Sequence, residues 1–148
     1  MKNIFCCSAL LVIILFISNG CKSSTEPIAE SISIKTQNNL YSRTSAETII
    51  ISLINNSSKQ VFLPIDSTFV LEKKDGNSWI TDIWALHRSG IKKYYSLFPN
   101  ISHQEEMEPG FLPSKGTYRF KFYIYRDSSL TELLPENILY SNPFEVVE

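Results

Sequence analysis

The sequence predicts an all-β protein, an antiparallel β-sandwich of seven or eight short strands. Three observations carry this. Residues 116–127, "GTYRFKFYIYRD", alternate strictly: Tyr118, Phe120, Phe122 and Ile124 share one face, while Thr117, Arg119, Lys121, Tyr123 and Tyr125 share the other. That period of two marks a strand buried on one side. Residues 47–55, "ETIIISLIN", are β-branched and stop at the turn-forming cluster Asn55-Asn56-Ser57-Ser58. No segment keeps a helical period over three turns.

The remaining elements follow in order. "ESISIKTQ" (30–37) alternates apolar and polar residues and is the first strand. After 47–55 come "QVFLP" (60–64) and "TFVLEKKDG" (68–76), the latter closing on an Asp-Gly turn signal. "SWITDIW" (Ser78–Trp84) continues the pattern. The stretch 85–102 supports either a strand at "IKKYYSLF" or a short helical turn around Trp84 to His87. At the end of the chain "ILYSNPFEVVE" places Phe144 and Val146 on one face, and Pro143 argues for an edge position or a break between two short pieces.

The first twenty residues have a different character. Met1-Lys2-Asn3 is a short basic opening, residues 4–17 are almost wholly apolar, and Ser18-Asn19-Gly20 is a small-residue exit, the layout of a secretory signal. The apolar run is shorter than the roughly 20 residues a spanning helix needs. Cys6 and Cys7 would leave with the signal, so Cys21 would be the single mature cysteine, and no internal disulfide is available. Ser18 and Gly20 also form an ordinary small-x-small cleavage site. That reading, however, gives no reason for a cysteine at the first mature position.

Gly20-Cys21 at the end of the apolar run resembles the lipobox of bacterial lipoproteins, with Ser18 where that pattern carries a leucine-like residue. The resemblance implies that Cys21 carries a thioether-linked diacylglycerol, and two acyl chains hold a protein stably at a membrane. Residues 22–29, "KSSTEPIA", then form a polar tether reaching at most about 26–29 Å. The expected organisation is a signal peptide at 1–20, the lipidated cysteine and tether at 21–29, and one folded domain at 30–148.

Without Lys2 the chain has thirteen basic residues against fifteen acidic ones, a net charge of about −2. Nucleic-acid binding calls for a basic patch or stripe, so the balance argues against it. The roughly 120 residues after the tether suffice for one core.

Sites for chemistry are sparse. There is no G-x-S-x-G, H-E-x-x-H or Gly-rich phosphate loop, so no catalytic residue, metal or cofactor is assigned. His103 and Glu105 share a strand face and suit zinc by type. No second ligand motif accompanies them, and a solvated acidic strand end accounts for the same residues. Asp66, Asp75 and Asp82 lie in or beside turns, where aspartate bonds its own backbone. The candidate binding surface is the outward stripe Arg119, Lys121, Tyr123 and Tyr125, since tyrosine and arginine are enriched at interface hot spots. Its structural alternative is an ordinary sheet face whose long side chains cover one another. As outward residues, Arg119 and Lys121 are expected to contribute within about 0.5 kcal/mol to stability.

"ISLINNSSKQVFLP", "LEKKDGNSW", "LPSKGTYRF" and "YSNPFEV", in that order, resemble the small immunoglobulin-like domains of bacterial envelope lipoproteins. The resemblance implies a tyrosine corner at Tyr118, whose hydroxyl turns back to upstream backbone, with Phe120 where many such domains carry a disulfide cysteine. Tyr118 read simply as a core aromatic needs no such bond. The implied function is a non-catalytic interaction or structural module at the envelope, with the membrane reached through the lipid anchor and an envelope protein as a possible partner. An inhibitor or accessory subunit of an envelope enzyme, such as a protease, is the alternative, because a related sandwich occurs in a bacterial proteinase inhibitor.

Overall fold

A computed structural model of the chain describes residues 32–65, 68–84 and 94–148. The expectations for the signal segment, Cys21, the tether and His87 fall outside the described residues. Within them the protein is all-β: ten strands in three sheets, with two short 3-10 turns at Pro109–Phe111 and Glu136–Ile138. No described helix is long and apolar enough to cross a membrane.

The strands are β1 (Ile32–Thr36), β2 (Leu40–Ser42), β3 (Ile49–Asn55), β4 (Val61–Pro64) and β5 (Phe69–Asp75). They continue with β6 (Ser78–Trp84), β7 (Tyr94–Leu97), β8 (Ser102–Met107), β9 (Gly116–Phe122) and β10 (Phe144–Val147). One sheet has the order β1-β3-β8, the second β2-β10-β9-β5-β6, and β4 pairs with β7 in a third. Every pair is antiparallel except β2 with β10.

Burial follows the alternation. In β3, Ile49, Ile51 and Leu53 are fully buried, while Ile50, Ser52 and Ile54 are half-buried. In β9, Tyr118, Phe120 and Phe122 are buried and Thr117, Arg119 and Lys121 are half-buried. Side chains of both larger sheets join one core. Phe120 stacks on Phe144 with ring centroids 5.3 Å apart, and Tyr41 meets Phe144 edge-on at 5.6 Å. Each such buried side chain contributes about 1.5–3 kcal/mol.

The fold differs from the sequence expectation in three places. The strands number ten among the described residues rather than seven or eight. The two additions to the strand list are β2, only three residues long, and β8, "SHQEEM", which is polar and was signalled only by the alternation of His103 and Glu105. β8 holds its place through six register pairs with β3, from Ile49↔Met107 to Ile54↔Ser102, and buries only Glu105. The expected 116–127 strand ends at Phe122 because its partner ends there: Phe122 lies opposite Phe69, the first residue of β5. Beyond it Ile124 remains buried, but Tyr125 bridges Phe62 and Leu133 instead.

Buried polar groups tie the loops to this frame. Asn55, fully buried, donates its side-chain amide to the carbonyls of Lys59 (2.8 Å) and Leu97 (2.9 Å), and its side-chain oxygen accepts from the Ser57 amide (3.1 Å). Asn142 links Thr36 at the end of β1 to Asn39 ahead of β2. Among the described residues no buried side-chain polar atom lacks a partner.

Candidate functional site

The outward face of β9 is where the sequence placed its candidate binding residues. Arg119 points away from the core because Tyr118 and Phe120 point into it. Register sets Arg119 opposite Glu72 of β5, and Trp79 stands on the neighbouring strand β6. Arg119 Nε and Nη2 each approach Glu72 Oε2 at 2.7 Å. The guanidinium also lies over two rings, 4.3 Å from the Trp79 centroid and 3.7 Å from that of Tyr140. Aromatic faces attract cations, so Arg119 is held by an ion pair and by ring contacts together.

Lys121, two residues on, donates to Glu136 Oε1 at 2.8 Å, and the Tyr140 hydroxyl donates to the same oxygen at 2.6 Å. The Lys121 amine is consequently held above its ordinary pKa, chiefly by the Glu136 carboxylate. Glu136 is held below the ordinary carboxylate range, chiefly by the Lys121 ammonium and then by the Tyr140 hydroxyl. Tyr140 is raised, first by burial and then by its bond to Glu136. Two cations and two carboxylates thus neutralise one another across β5, β9 and the 136–140 segment.

The four expected residues take different partners. Arg119 and Lys121 share the cluster just described, while Tyr123 and Tyr125 lie past the end of β9, where the Tyr123 amide donates to Thr68 and Tyr125 exchanges backbone bonds with Phe62. Glu72, Trp79, Glu136 and Tyr140 are the members that sequence reasoning missed. Neither Glu72 nor Tyr140 had a local signal: β5 buries Val70, Leu71 and Glu72 in succession rather than alternating, and nothing local shows that the 136–140 segment returns across β9. The expectation of small energetic weight does not suit Arg119. Its side chain is 19% exposed and that of Glu72 only 10%, so removing the cation would leave a largely buried carboxylate unpaired.

His103 and Glu105 do share a face of β8. Their side chains meet, Nε2 to Oε1, at 2.8 Å, and Tyr95 packs on the imidazole with centroids 5.4 Å apart. Among the described residues no group of three or more His, Cys, Asp or Glu is placed to hold a metal ion.

At the entry of β9 the Tyr118 hydroxyl donates to the Ser114 carbonyl at 2.7 Å, on the upstream backbone to which a corner tyrosine turns. Gly116, between them, has φ of 151°, and a Cβ there would meet Lys73 Cε at 2.8 Å. The Lys73 tip could move aside, so it is the positive φ that calls for glycine here.

No family model matches the chain, and no curated protein does. Solved structures with some likeness include a β-glucosidase of Erythrobacter marinus (14% identity, TM-score 0.35) and a β-glucosidase of Listeria innocua in complex with glucose (11% identity, TM-score 0.34). Each alignment covers 79% of this chain, but only 15% and 16% of those enzymes.

Proposed function

We propose that the chain is a non-catalytic lipoprotein of the bacterial envelope, held by Cys21, whose residues 30–148 form an immunoglobulin-like β-sandwich acting as an interaction or structural module. The strand order supports the immunoglobulin-like part of this reading, and the Gly20-Cys21 border after the apolar run supports the anchor. Immunoglobulin-type sandwiches set strands A, B and E in one sheet and C, F and G in the other, with C′ added beside C in the variable type. Here β1-β3-β8 fits A-B-E, and β10-β9-β5-β6 fits G-F-C-C′. The Tyr118–Ser114 bond stands at the start of the strand that corresponds to F, where a tyrosine corner belongs.

In this reading the face of Trp79, Arg119, Lys121 and Tyr140 is the contact surface. Its side chains are already ordered by mutual bonds, which lowers the entropy cost of meeting a partner. Tryptophan, tyrosine and arginine are also the residues that dominate binding energy at interfaces.

Fractionation of bacteria expressing the protein tests the anchored part of the proposal. Wild type belongs in the membrane fraction, and Cys21→Ser should lose lipid-type processing. A wild type found wholly in the soluble fraction removes the reading. Cross-linking of the anchored protein then tells a structural partner from an enzyme whose activity falls on binding.

A further inference from the structure

The strand directions place three features at one end of the fold. β1 begins at Ile32, which lies opposite Asn55, the last residue of β3. On the other side of β3, Ile54 lies opposite Ser102, the first residue of β8. The Asn55 amide donates to Ile101, and the Asn100 amide donates back to Asn55. Adjacent strands lie about 4.8 Å apart, so the start of β1 and the 98–101 turn are separated by roughly 10 Å.

That turn is unusual in what it exposes. Phe98 is 55% and Ile101 51% accessible, two large apolar side chains at the first and fourth positions of one turn. The Ile101 amide donates to the Phe98 carbonyl at 3.2 Å. Pro99 stands at the second position and Asn100, with φ of 61°, at the third, the arrangement of a type II turn. Proline fixes the backbone, and asparagine tolerates the left-handed conformation. The two apolar groups are thus presented by a stiff support.

Charge immediately around the turn favours a lipid surface; in the 126–132 loop, which runs to the same end from the Phe62–Tyr125 bridge, Arg126 pairs with Glu132 and Asp127 is bonded within its own loop. Across 55–60 and 97–102 the only ionisable residue is Lys59, which is exposed. At the other end of β3, Ile49 neighbours Met107, flanked by the exposed carboxylates Glu106 and Glu108. The ten residues 22–31 join Cys21 to Ile32 and span at most about 36 Å, so an anchor at Cys21 emerges from the apolar end.

We propose that the 98–101 turn is the membrane-facing tip of the molecule, with Phe98 and Ile101 entering the headgroup–acyl boundary of the bilayer that holds the Cys21 lipid. This rests on the anchor reading above. The occupant is the lipid surface itself: the tether starts beside the turn, and apolar groups flanked by a cation suit an interface carrying anionic lipid. The tip would fix the orientation of the molecule, standing β3 away from the membrane and turning its acidic end outward.

The test uses the mature full chain mixed with vesicles of phosphatidylethanolamine and phosphatidylglycerol, with and without brominated acyl chains. Phe98→Trp and Phe111→Trp are compared; both sites are exposed, and Phe111 follows β8 at the opposite end. Cosedimentation with the vesicles reports the anchor, and quenching by bromine reports which end enters lipid. Expected is cosedimentation of both variants, with loss of the added emission for Phe98→Trp and none for Phe111→Trp. Cosedimentation with no quenching at Phe98→Trp, or equal quenching at both sites, overturns the proposal while the anchor stands. Failure to cosediment refutes the anchor and the proposal with it. Shielding of Phe98→Trp from aqueous quenchers without vesicles would identify a second copy as the occupant, which also overturns it.

Discussion

Tyr118→Phe keeps the ring and deletes one oxygen. The ring is fully buried, stacks on Phe144 with centroids 6.1 Å apart, and has the Lys73 amine 5.7 Å from its centre. All of this survives the change. What is lost is the 2.7 Å bond to the Ser114 carbonyl and a weaker 3.4 Å approach to Ser114 Oγ. A buried carbonyl deprived of its donor costs about 1–3 kcal/mol. Ser114 is half-buried, so water regains part of that bond, and the expected loss is about 1–2 kcal/mol. Urea unfolding of the mature chain carrying Cys21→Ser measures it. At slopes of about 1–3 kcal/mol/M the midpoint should fall by roughly 0.3–2 M without a change in slope. A midpoint equal to that of the parent refutes the reasoning, since the hydroxyl would then contribute no net bond at the entry of β9.

Phe120→Ala or Phe122→Ala, both fully buried, should each cost about 3–5 kcal/mol in the same assay, close to unfolding a protein of this size. Arg119→Ala should cost about 1–3 kcal/mol because Glu72 stays behind largely buried, and the Arg119→Ala/Glu72→Ala double variant should be destabilised by less than the sum of the two singles. Lys121→Ala, whose partner Glu136 is largely exposed, should stay within about 1 kcal/mol. Asp127 accepts bonds from the Ser129 and Thr131 hydroxyls and from the Thr131 and Glu132 amides, and these hold its pKa below the ordinary 3.8. A depressed folded pKa stabilises above the unfolded value and loses that contribution as pH falls through the folded one. Hence the stability gap between wild type and Asp127→Asn should be constant at neutral pH and narrow below about pH 3.8, read from urea midpoints across an acid series.

How much of this could be read from sequence depended on whether the deciding contact was local. The alternation of β9 and the β-branched run of β3 are properties of a few neighbouring residues, and β3, β5 and β9 each begin within two residues of the expected start, whereas the closing strand begins only at Phe144, after the break that Pro143 signals. β8 was legible only as the shared face of His103 and Glu105, because "SHQEEM" has no apolar face; its place in the sheet comes from β3 beside it. β9 stops at Phe122 because β5 begins opposite it, and the chain beyond changes partner to Phe62 and Leu133 while its alternation runs on. The same limit applied to the candidate surface. Arg119 was visible as an outward cation, but its burial depends on Glu72, Trp79 and Tyr140, brought in from three separate segments. Sequence supplied the face of each strand and left its neighbours open.

The central claim is that this is an anchored envelope module, and the intact mass of the mature protein from a bacterial host tests it most directly. The account predicts a chain that begins at Cys21 and carries a diacylglycerol on its sulfur. A chain beginning at an unmodified Cys21, or one that keeps residues 1–20, would contradict it.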